Sequence, residues 1–121
     1  MNSYKYIGDY KYNKKNGNGI LYYNNTILYN GQWLNNSYHG YGELFFSNGN
    51  IQYQGEWNNN HKSGLGILFY KNKNIKYEGQ WLNNIPNGFG TYYNNDGSLL
   101  YKGLSHNINI DMKKFINNLE V

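Results

Sequence analysis

The sequence predicts an all-β protein built as a meander of β-hairpin repeats, and three observations carry this prediction. A motif of tyrosine, glycine and tryptophan recurs at intervals of 23 or 24 residues along the 121-residue chain. Within each copy, apolar side chains alternate with period two, which is typical of strands and not of helices. The composition agrees, since 25 Asn and 15 Gly favour turns while alanine, the best helix former, is absent.

The repeat consists of columns of residues at fixed spacing, which is the signature of a repeat architecture. A leading tyrosine is followed two residues later by glycine and, in most copies, by a large aromatic residue two residues after that. The leading tyrosines are Tyr6, Tyr29, Tyr53, Tyr77 and Tyr101. The glycines that follow them are Gly8, Gly31, Gly55, Gly79 and Gly103. The aromatic column holds Tyr10, Trp33, Trp57 and Trp81, and Ser105 ends it. The Gly-x-Gly pairs are Gly17 and Gly19, Gly40 and Gly42, Gly64 and Gly66, and Gly88 and Gly90.

The third copy shows how one unit is expected to fold. A first strand begins near Tyr53, a second strand contains Gly64, and we expect Asn58–Ser63 to form the turn between them. Turn formers such as those at Asn94–Gly97 join one unit to the next, because Asn, Asp and Gly accept positive φ. The chain is therefore expected to form roughly nine or ten strands, each hairpin contacting mainly its neighbours.

Glycine inside a strand normally weakens it, so the Gly-x-Gly pairs need a physical reason. We expect both glycines of each pair to make space for aromatic rings. A Tyr or Trp on the adjacent strand can lie flat over backbone that has no Cβ, and such a ring buries about 150 to 250 Å². Most of the tyrosines and tryptophans are therefore interpreted as core residues.

Composition excludes several classes of protein. A net charge of +4, with 15% charged and 19% aromatic residues, is not typical of disorder. The absence of cysteine excludes disulfides and suits a reducing compartment. A polar N-terminal segment and the lack of an apolar run of roughly 20 residues argue against a signal peptide or membrane span, so we expect a cytoplasmic protein. The bias toward Asn, Lys, Ile and Tyr is typical of AT-rich coding, so some Asn and Lys are expected to carry no structural information.

The pattern resembles the MORN (membrane occupation and recognition nexus) repeat family. The resemblance rests on Tyr53–Trp57 (YQGEW), Tyr77–Trp81 (YEGQW) and Asn87–Gly97 (NGFGTYYNNDG). It covers residues 4–105, with units starting near the leading tyrosines, the last of them truncated, and with Lys73 where the family usually has a turn glycine. The resemblance implies an elongated, single-layer, twisted antiparallel sheet with a groove, used as an assembly platform in cytoskeletal, junctional and ciliary proteins, often as a homodimer.

Residues 106–121 form a tail after the repeats. Met112, Phe115, Ile116 and Leu119 have helical spacing, which predicts a short amphipathic helix at about 111–120. So short a helix needs a surface to dock on. Either it caps the exposed end of the sheet, or it grips a second subunit or a partner, which would give a homodimer through the C-terminal region.

The candidate site is an apolar and aromatic stripe on the face opposite the tyrosine and tryptophan columns. A single-layer sheet cannot bury both faces by itself, and exposed apolar patches usually mark interaction sites. The stripe comprises Ile20, Tyr22, Tyr41, Phe45, Leu65, Ile67, Phe69, Phe89 and Tyr93. We interpret it as the binding surface for a helical or extended segment of a protein partner. The expected function is thus a non-enzymatic scaffold or adaptor in a cytoskeletal or membrane-associated assembly. The alternative is that neighbouring side chains cover the stripe, which would then have only a structural role.

The alternative function is a peripheral membrane module that binds anionic phospholipids through lysine-rich turns. Each lysine near an anionic leaflet contributes about 1 kcal/mol, so four give weak, salt-sensitive attachment. The candidate residues are Lys5, Lys11, Lys14 and Lys15 in the first hairpin and Lys71, Lys73 and Lys76 in the third inter-unit turn. Without an acyl signal, stable anchoring is not expected.

Catalytic, metal, cofactor and nucleic-acid functions are not expected from this sequence. His39, His61 and His106 occupy three different phases of the repeat, so no shared face is expected to gather them. The Gly-x-Gly pairs lack the third glycine and the βαβ context of a nucleotide-binding loop. Arginine, the preferred reader of phosphate and guanine, is absent.

Overall fold

The computed structural model describes residues 2–105, which fold as one open antiparallel β-sheet. The strands follow one another across the sheet in chain order. They are β1 (Tyr4–Lys11), β2 (Lys14–Tyr23), β3 (Thr26–Leu34), β4 (Ser37–Phe45), β5 (Ile51–Asn58), β6 (His61–Phe69), β7 (Ile75–Leu82), β8 (Ile85–Tyr93) and β9 (Leu99–Leu104). The predicted all-β meander is confirmed, whereas the helix predicted for residues 111–120 lies outside the described residues.

Two rows of residues cross the whole sheet side by side. The first row takes one glycine from every strand: Gly8, Gly19, Gly31, Gly42, Gly55, Gly66, Gly79, Gly90 and Gly103. In the second row tyrosine alternates with leucine until the eighth strand: Tyr6, Leu21, Tyr29, Leu44, Tyr53, Leu68, Tyr77, Tyr92 and Tyr101. The register therefore places every leading tyrosine next to bare backbone.

The rings lie over glycine as predicted. In the third unit a Cβ on Gly66 would overlap the ring of Tyr53, whose hydroxyl donates a hydrogen bond to the carbonyl of Glu56 (2.9 Å). The indole Nε1 of Trp57 donates to the carbonyl of Gly42 in the preceding hairpin (3.1 Å). The Tyr53 and Trp57 rings meet edge to face, with 5.0 Å between centroids. Each tyrosine thus reaches forward within its own hairpin, and each tryptophan reaches back to the preceding one.

The first glycine of each Gly-x-Gly pair has a different role from the one we expected. Gly64 has a φ of 68° and lies at a β-bulge, where the register between β5 and β6 shifts. A Cβ there would meet the carboxylate of Glu56, which accepts a hydrogen bond from the backbone N–H of Leu65. The same contact with the facing side chain recurs at Gly17 with Asp9, Gly40 with Gln32 and Gly88 with Gln80. A bulge, and not ring packing, therefore requires glycine at this position.

The turns inside the hairpins are shorter than predicted. Asn58 ends β5 and His61 begins β6, so the turn consists of Asn59 and Asn60 alone. Both residues have positive φ, 48° and 71°, which is the type I′ geometry that favours Asn. The prediction of a turn over Asn58–Ser63 was wrong because polar residues also fill the exposed strand positions of a one-layer sheet.

Asparagines also join successive hairpins along the turns. The N–H of Asn60 donates to the carbonyl of Tyr38 (3.0 Å), and its Oδ1 accepts from the N–H of Tyr38 (2.8 Å). The same two bonds join Asn36 to Lys15 and Asn84 to Lys62. We call these three residues the asparagine ladder. At these positions Asn carries structural information, so the expectation that it reflects coding bias does not hold there.

Candidate protein-binding surface

The face opposite the rings carries exposed apolar side chains at one position of successive repeats. Tyr41, Leu65 and Phe89 are 50%, 61% and 53% exposed. Each is the middle residue of a Gly-x-Gly pair, and so each lies on a bulge. Equivalent positions are two strands apart, which separates them by about 9.6 Å across the sheet. We call these three residues the apolar ridge.

Hydrogen bonds from the neighbouring strand fix the backbone of the apolar ridge. Each backbone N–H donates to a side-chain oxygen on the preceding strand. The three bonds run from Tyr41 to Gln32 (2.7 Å), from Leu65 to Glu56 (2.5 Å) and from Phe89 to Gln80 (2.7 Å). Because the backbone is held before any partner arrives, little order is lost on binding.

A shallow groove of about 320 Å³ runs beside the ridge. Tyr41, Leu65 and Ile67 supply its apolar walls. Gln54 and Glu78 supply polar groups at the same groove. Apolar walls next to a carboxylate and an amide suit a partner segment that carries apolar and basic side chains.

The other residues of the predicted stripe are less accessible than the ridge. Ile20, Tyr22, Phe45, Ile67, Phe69 and Tyr93 are half-buried. Of these, Phe69 lies away from the groove and lines a second cavity of about 290 Å³ with Ile51 and Lys73. Alternation in the sequence predicts equal exposure for all residues of the stripe. In the structure, the residues between paired glycines are more exposed than the others because they lie on bulges.

The predicted lysines do not form one continuous patch. Lys11, Lys14 and Lys15 lie at the opposite end of the strands from the turn after β6. Lys5 lies at the same end as that turn, but β3, β4 and β5 separate the first hairpin from it. Several are engaged with aromatic rings of the protein. Lys11 lies over Tyr12 (5.7 Å), Lys15 over Tyr6 (5.4 Å), Lys71 over Phe46 (5.8 Å) and Lys76 over Tyr70 (5.2 Å). Burial also lowers the pKa of Lys76.

One lysine that the sequence analysis did not single out is buried among aromatic rings. Lys62 is only 4% exposed, and its Nζ lies 5.5 Å from the ring centre of Tyr53, 5.7 Å from Trp57 and 5.8 Å from Trp81. Burial lowers its pKa to about 8. The repeat could have indicated that Lys62 is buried, because the equivalent residue one unit earlier is Tyr38, which stacks on Tyr29.

The two described histidines meet at one turn although they occupy different phases of the repeat. The N–H of Asn59 points to Nδ1 of His39 (3.5 Å), and the carbonyl of Asn59 lies 2.8 Å from Nδ1 of His61. His106 lies outside the described residues. Across residues 2–105, no three His, Cys, Asp or Glu side chains are grouped as metal ligands. In the same range, no helical segment has the length and hydropathy that a membrane span requires.

The fold and its exposed ridge define a repeat protein in which one open sheet presents a surface along its length. The sequence model of the MORN repeat matches residues 6–26, 29–51, 53–75 and 77–99, and the chain belongs to this family. The resemblance that the motifs indicated is thereby confirmed. No curated protein sequence matches the chain. MORN repeats form a non-catalytic family and occur in proteins that bind membranes or other proteins.

Proposed function

We propose that this protein is a non-enzymatic scaffold that binds a protein partner across the apolar ridge, within a cytoskeletal or membrane-associated assembly. The observation that carries the proposal is the equal spacing of exposed Tyr41, Leu65 and Phe89 on a fixed backbone. Ridge positions recur about every 9.6 Å. In an α-helix, residues seven apart recur about every 10.5 Å. This match favours an amphipathic helix laid across the strands over an extended peptide.

The charges next to the apolar ridge indicate which charged side chains that helix carries. Glu78 lines the groove, and the carboxylate of Glu56 lies at the bulge that holds Leu65. Basic side chains on either side of the apolar positions of a partner helix would complement these carboxylates. We therefore propose an apolar helix face flanked by Lys or Arg as the recognised element.

The test is co-purification from the native cell with a matched pair of variants. Leu65→Ser removes the central ridge side chain, and Leu82→Ser removes a side chain of the same kind that is 51% exposed at the end of β7. Both positions are exposed, so both variants are expected to remain folded. A partner that is lost with Leu65→Ser and kept with Leu82→Ser supports the proposal; equal recovery with both variants contradicts it.

Membrane binding is the second candidate function, and the first hairpin favours it. Tyr4, Ile7, Tyr10 and Tyr12 are 67%, 53%, 60% and 88% exposed, and lysines lie between them in the sequence. Exposed tyrosine beside lysine is the combination found at membrane interfaces. Flotation with phosphatidylserine vesicles at low and raised salt tests this function. Salt-sensitive flotation that is absent with phosphatidylcholine vesicles supports it, and equal behaviour with both lipids contradicts it.

A further inference from the structure

Within residues 2–105, strand β9 has no neighbour on the side where the other leading strands have one. In each complete unit the leading tyrosine lies over a glycine of the second strand in its own hairpin. The pairs are Tyr6 with Gly19, Tyr29 with Gly42, Tyr53 with Gly66 and Tyr77 with Gly90. Strand β9 carries the fifth leading tyrosine, Tyr101, and among residues 2–105 no strand pairs with its outer edge.

Tyr101 is nevertheless placed as in a complete hairpin. Its hydroxyl donates to the carbonyl of Leu104 (2.9 Å), which is the bond that Tyr77 makes three residues onward with Gln80 (2.7 Å). The same hydroxyl lies 2.7 Å from the position of a Cβ on Gly103, as the Tyr77 hydroxyl does at the corresponding glycine. The ring is therefore set to cover a strand on the outer side of β9.

The sequence that follows β9 does not continue the glycine column of the repeat. In every complete unit the covered glycine comes 13 residues after the leading tyrosine, and 13 residues after Tyr101 stands Lys114. Residues 104–121 contain no glycine at all. At the equivalent position of the third unit, a Cβ on Gly66 would overlap the tyrosine ring. A side chain under Tyr101 would therefore force the ring away from Leu104.

The opposite edge of the sheet is built differently. Complete units use tryptophan to reach back to the preceding hairpin, as Trp57 does with the carbonyl of Gly42. In β1 this column holds Tyr10, which is 60% exposed, so this edge lacks the tryptophan that would bond to a preceding hairpin. Two lysines, Lys5 and Lys11, lie within β1, against one, Lys102, within β9, and charged residues of this kind discourage strand pairing at sheet edges. The repeat pattern thus leaves only the β9 edge prepared for a further strand among the described residues.

We propose that the outer edge of β9 is a site of β-strand addition for an extended, glycine-containing segment of another polypeptide. The segment runs antiparallel to β9, with one glycine opposite Gly103 and beneath the ring of Tyr101. Backbone hydrogen bonds along the edge provide the affinity, and the ring provides selectivity for glycine. This edge is separate from the apolar ridge, so the failure of either proposal leaves the other standing.

The test is a titration of the full chain, labelled with ¹⁵N, with a synthetic peptide that has the sequence of β2 (KKNGNGILYY, residues 14–23). In this peptide Gly19 is the glycine that lies under Tyr6 in the folded protein. We expect shifts of the backbone amides of Leu99–Leu104 and slower hydrogen exchange at alternate amides of that strand. The control peptide carries Gly19→Val, and we expect it to bind at least tenfold more weakly.

Other outcomes overturn the proposal. Equal binding of the two peptides would remove the selectivity for glycine, and no binding at millimolar peptide would remove the site. Shifts confined to β1 or to the apolar ridge would place the peptide elsewhere. Slow exchange of all β9 amides in the free chain would mean that residues 106–121 or a second copy already cover the edge, and sedimentation of the free chain then distinguishes these two.

Discussion

Three turns between units place one residue in the left-handed region of backbone conformation, and one of these residues is a lysine. Gly49 and Gly97 have φ of 92° and 93°, and Lys73 at the equivalent position has φ of 79°. The N–H of Lys73 donates to the carbonyl of Tyr70 (3.0 Å), as the N–H of Gly49 does to Phe46 (3.0 Å). The turn geometry is therefore kept although the side chain disfavours it. An L-residue in this region is strained by roughly 1–2 kcal/mol.

Lys73→Gly is expected to stabilise the protein. Relief of the left-handed strain outweighs the extra freedom of glycine in the unfolded chain, and the net gain is about 0.5 to 1 kcal/mol. The matched control is Lys71→Gly in the same turn, where the residue is exposed and not left-handed, so glycine there costs stability. Urea unfolding of both variants measures the two effects. If the variants shift the midpoint in the same direction, the strain at Lys73 does not determine stability.

At the scale of the elements, each hairpin is joined to the next by two side-chain contacts, one that reaches the middle of a strand and one at the hairpin turn. The tryptophans bond to glycine carbonyls of the preceding hairpin, and the asparagine ladder pairs the turns. In the part of the chain that the structure describes, no second layer covers the sheet, so these contacts and the aromatic packing take the place of a conventional core. Contacts between adjacent units stabilise repeat proteins in general, so the stability of each unit depends on the one beside it.

The last two strands compensate for the missing tryptophan. Tyr92 stands in the row where earlier units have leucine, and Ser105 stands in the tryptophan column. The Tyr92 ring packs against Tyr77 (4.6 Å) and Tyr101 (5.8 Å), the leading tyrosines of two successive units. In the complete units an indole fills this place between leading tyrosines, as Trp81 does. The Tyr92 hydroxyl lies 2.9 Å from the Ser105 Oγ, so the larger ring requires the smaller neighbour.

Tyr92→Leu and Ser105→Trp are expected to be strongly coupled in a double-mutant cycle. Tyr92→Leu alone leaves a cavity and costs about 2 to 4 kcal/mol. Ser105→Trp alone overpacks the site and costs about 1 to 3 kcal/mol. The double variant rebuilds the leucine and tryptophan of the earlier units, so we expect it to recover more than 1 kcal/mol relative to the sum of the single variants. Thermal unfolding of the four proteins measures the coupling, and additive effects would contradict the compensation.

At the scale of the whole molecule, the period of the repeat determined what the sequence could predict. Period-two alternation and the tyrosine spacing predicted the strands, their order and the rings over Gly66 and its equivalents, because register follows from the pattern. The bulge at Gly64 was not predicted, since the spacing of glycines in the sequence does not distinguish a glycine with extended backbone from one with left-handed backbone. That bulge explains why Leu65 is exposed while Ile67, two residues along the same strand, is half-buried.

The aromatic interior also contains groups whose burial couples stability to pH. Burial lowers the pKa of Lys62 to about 8. It raises the pKa of Tyr38 to about 12, and it raises the pKa values of Tyr53 and Tyr77 above their ordinary value of 10. Between pH 8 and the ordinary lysine value of 10.5, the unfolded chain binds more protons than the folded protein, so stability rises with pH. Above pH 10 the folded protein keeps protons on tyrosine that the unfolded chain loses, so stability falls.

The free energy of unfolding is therefore expected to peak between about pH 8 and 10, which is more alkaline than the usual range of maximal stability. The cost of the buried Lys62 charge, about 1 to 3 kcal/mol, is fully present below pH 8 and is relieved as the folded amine loses its proton. Lys62→Met removes this cost, so the variant is expected to be more stable than the parent at pH 7 and to lose the rise between pH 8 and 9. The fall above pH 10 should remain, because the tyrosines are unchanged.

Lys71→Met, at an exposed turn, serves as the control and should keep both the rise above pH 8 and the fall above pH 10. Urea unfolding from pH 6 to 11 checks the profile, and a parent protein whose stability is flat between pH 8 and 9 would show that the aromatic rings offset the burial of the charge.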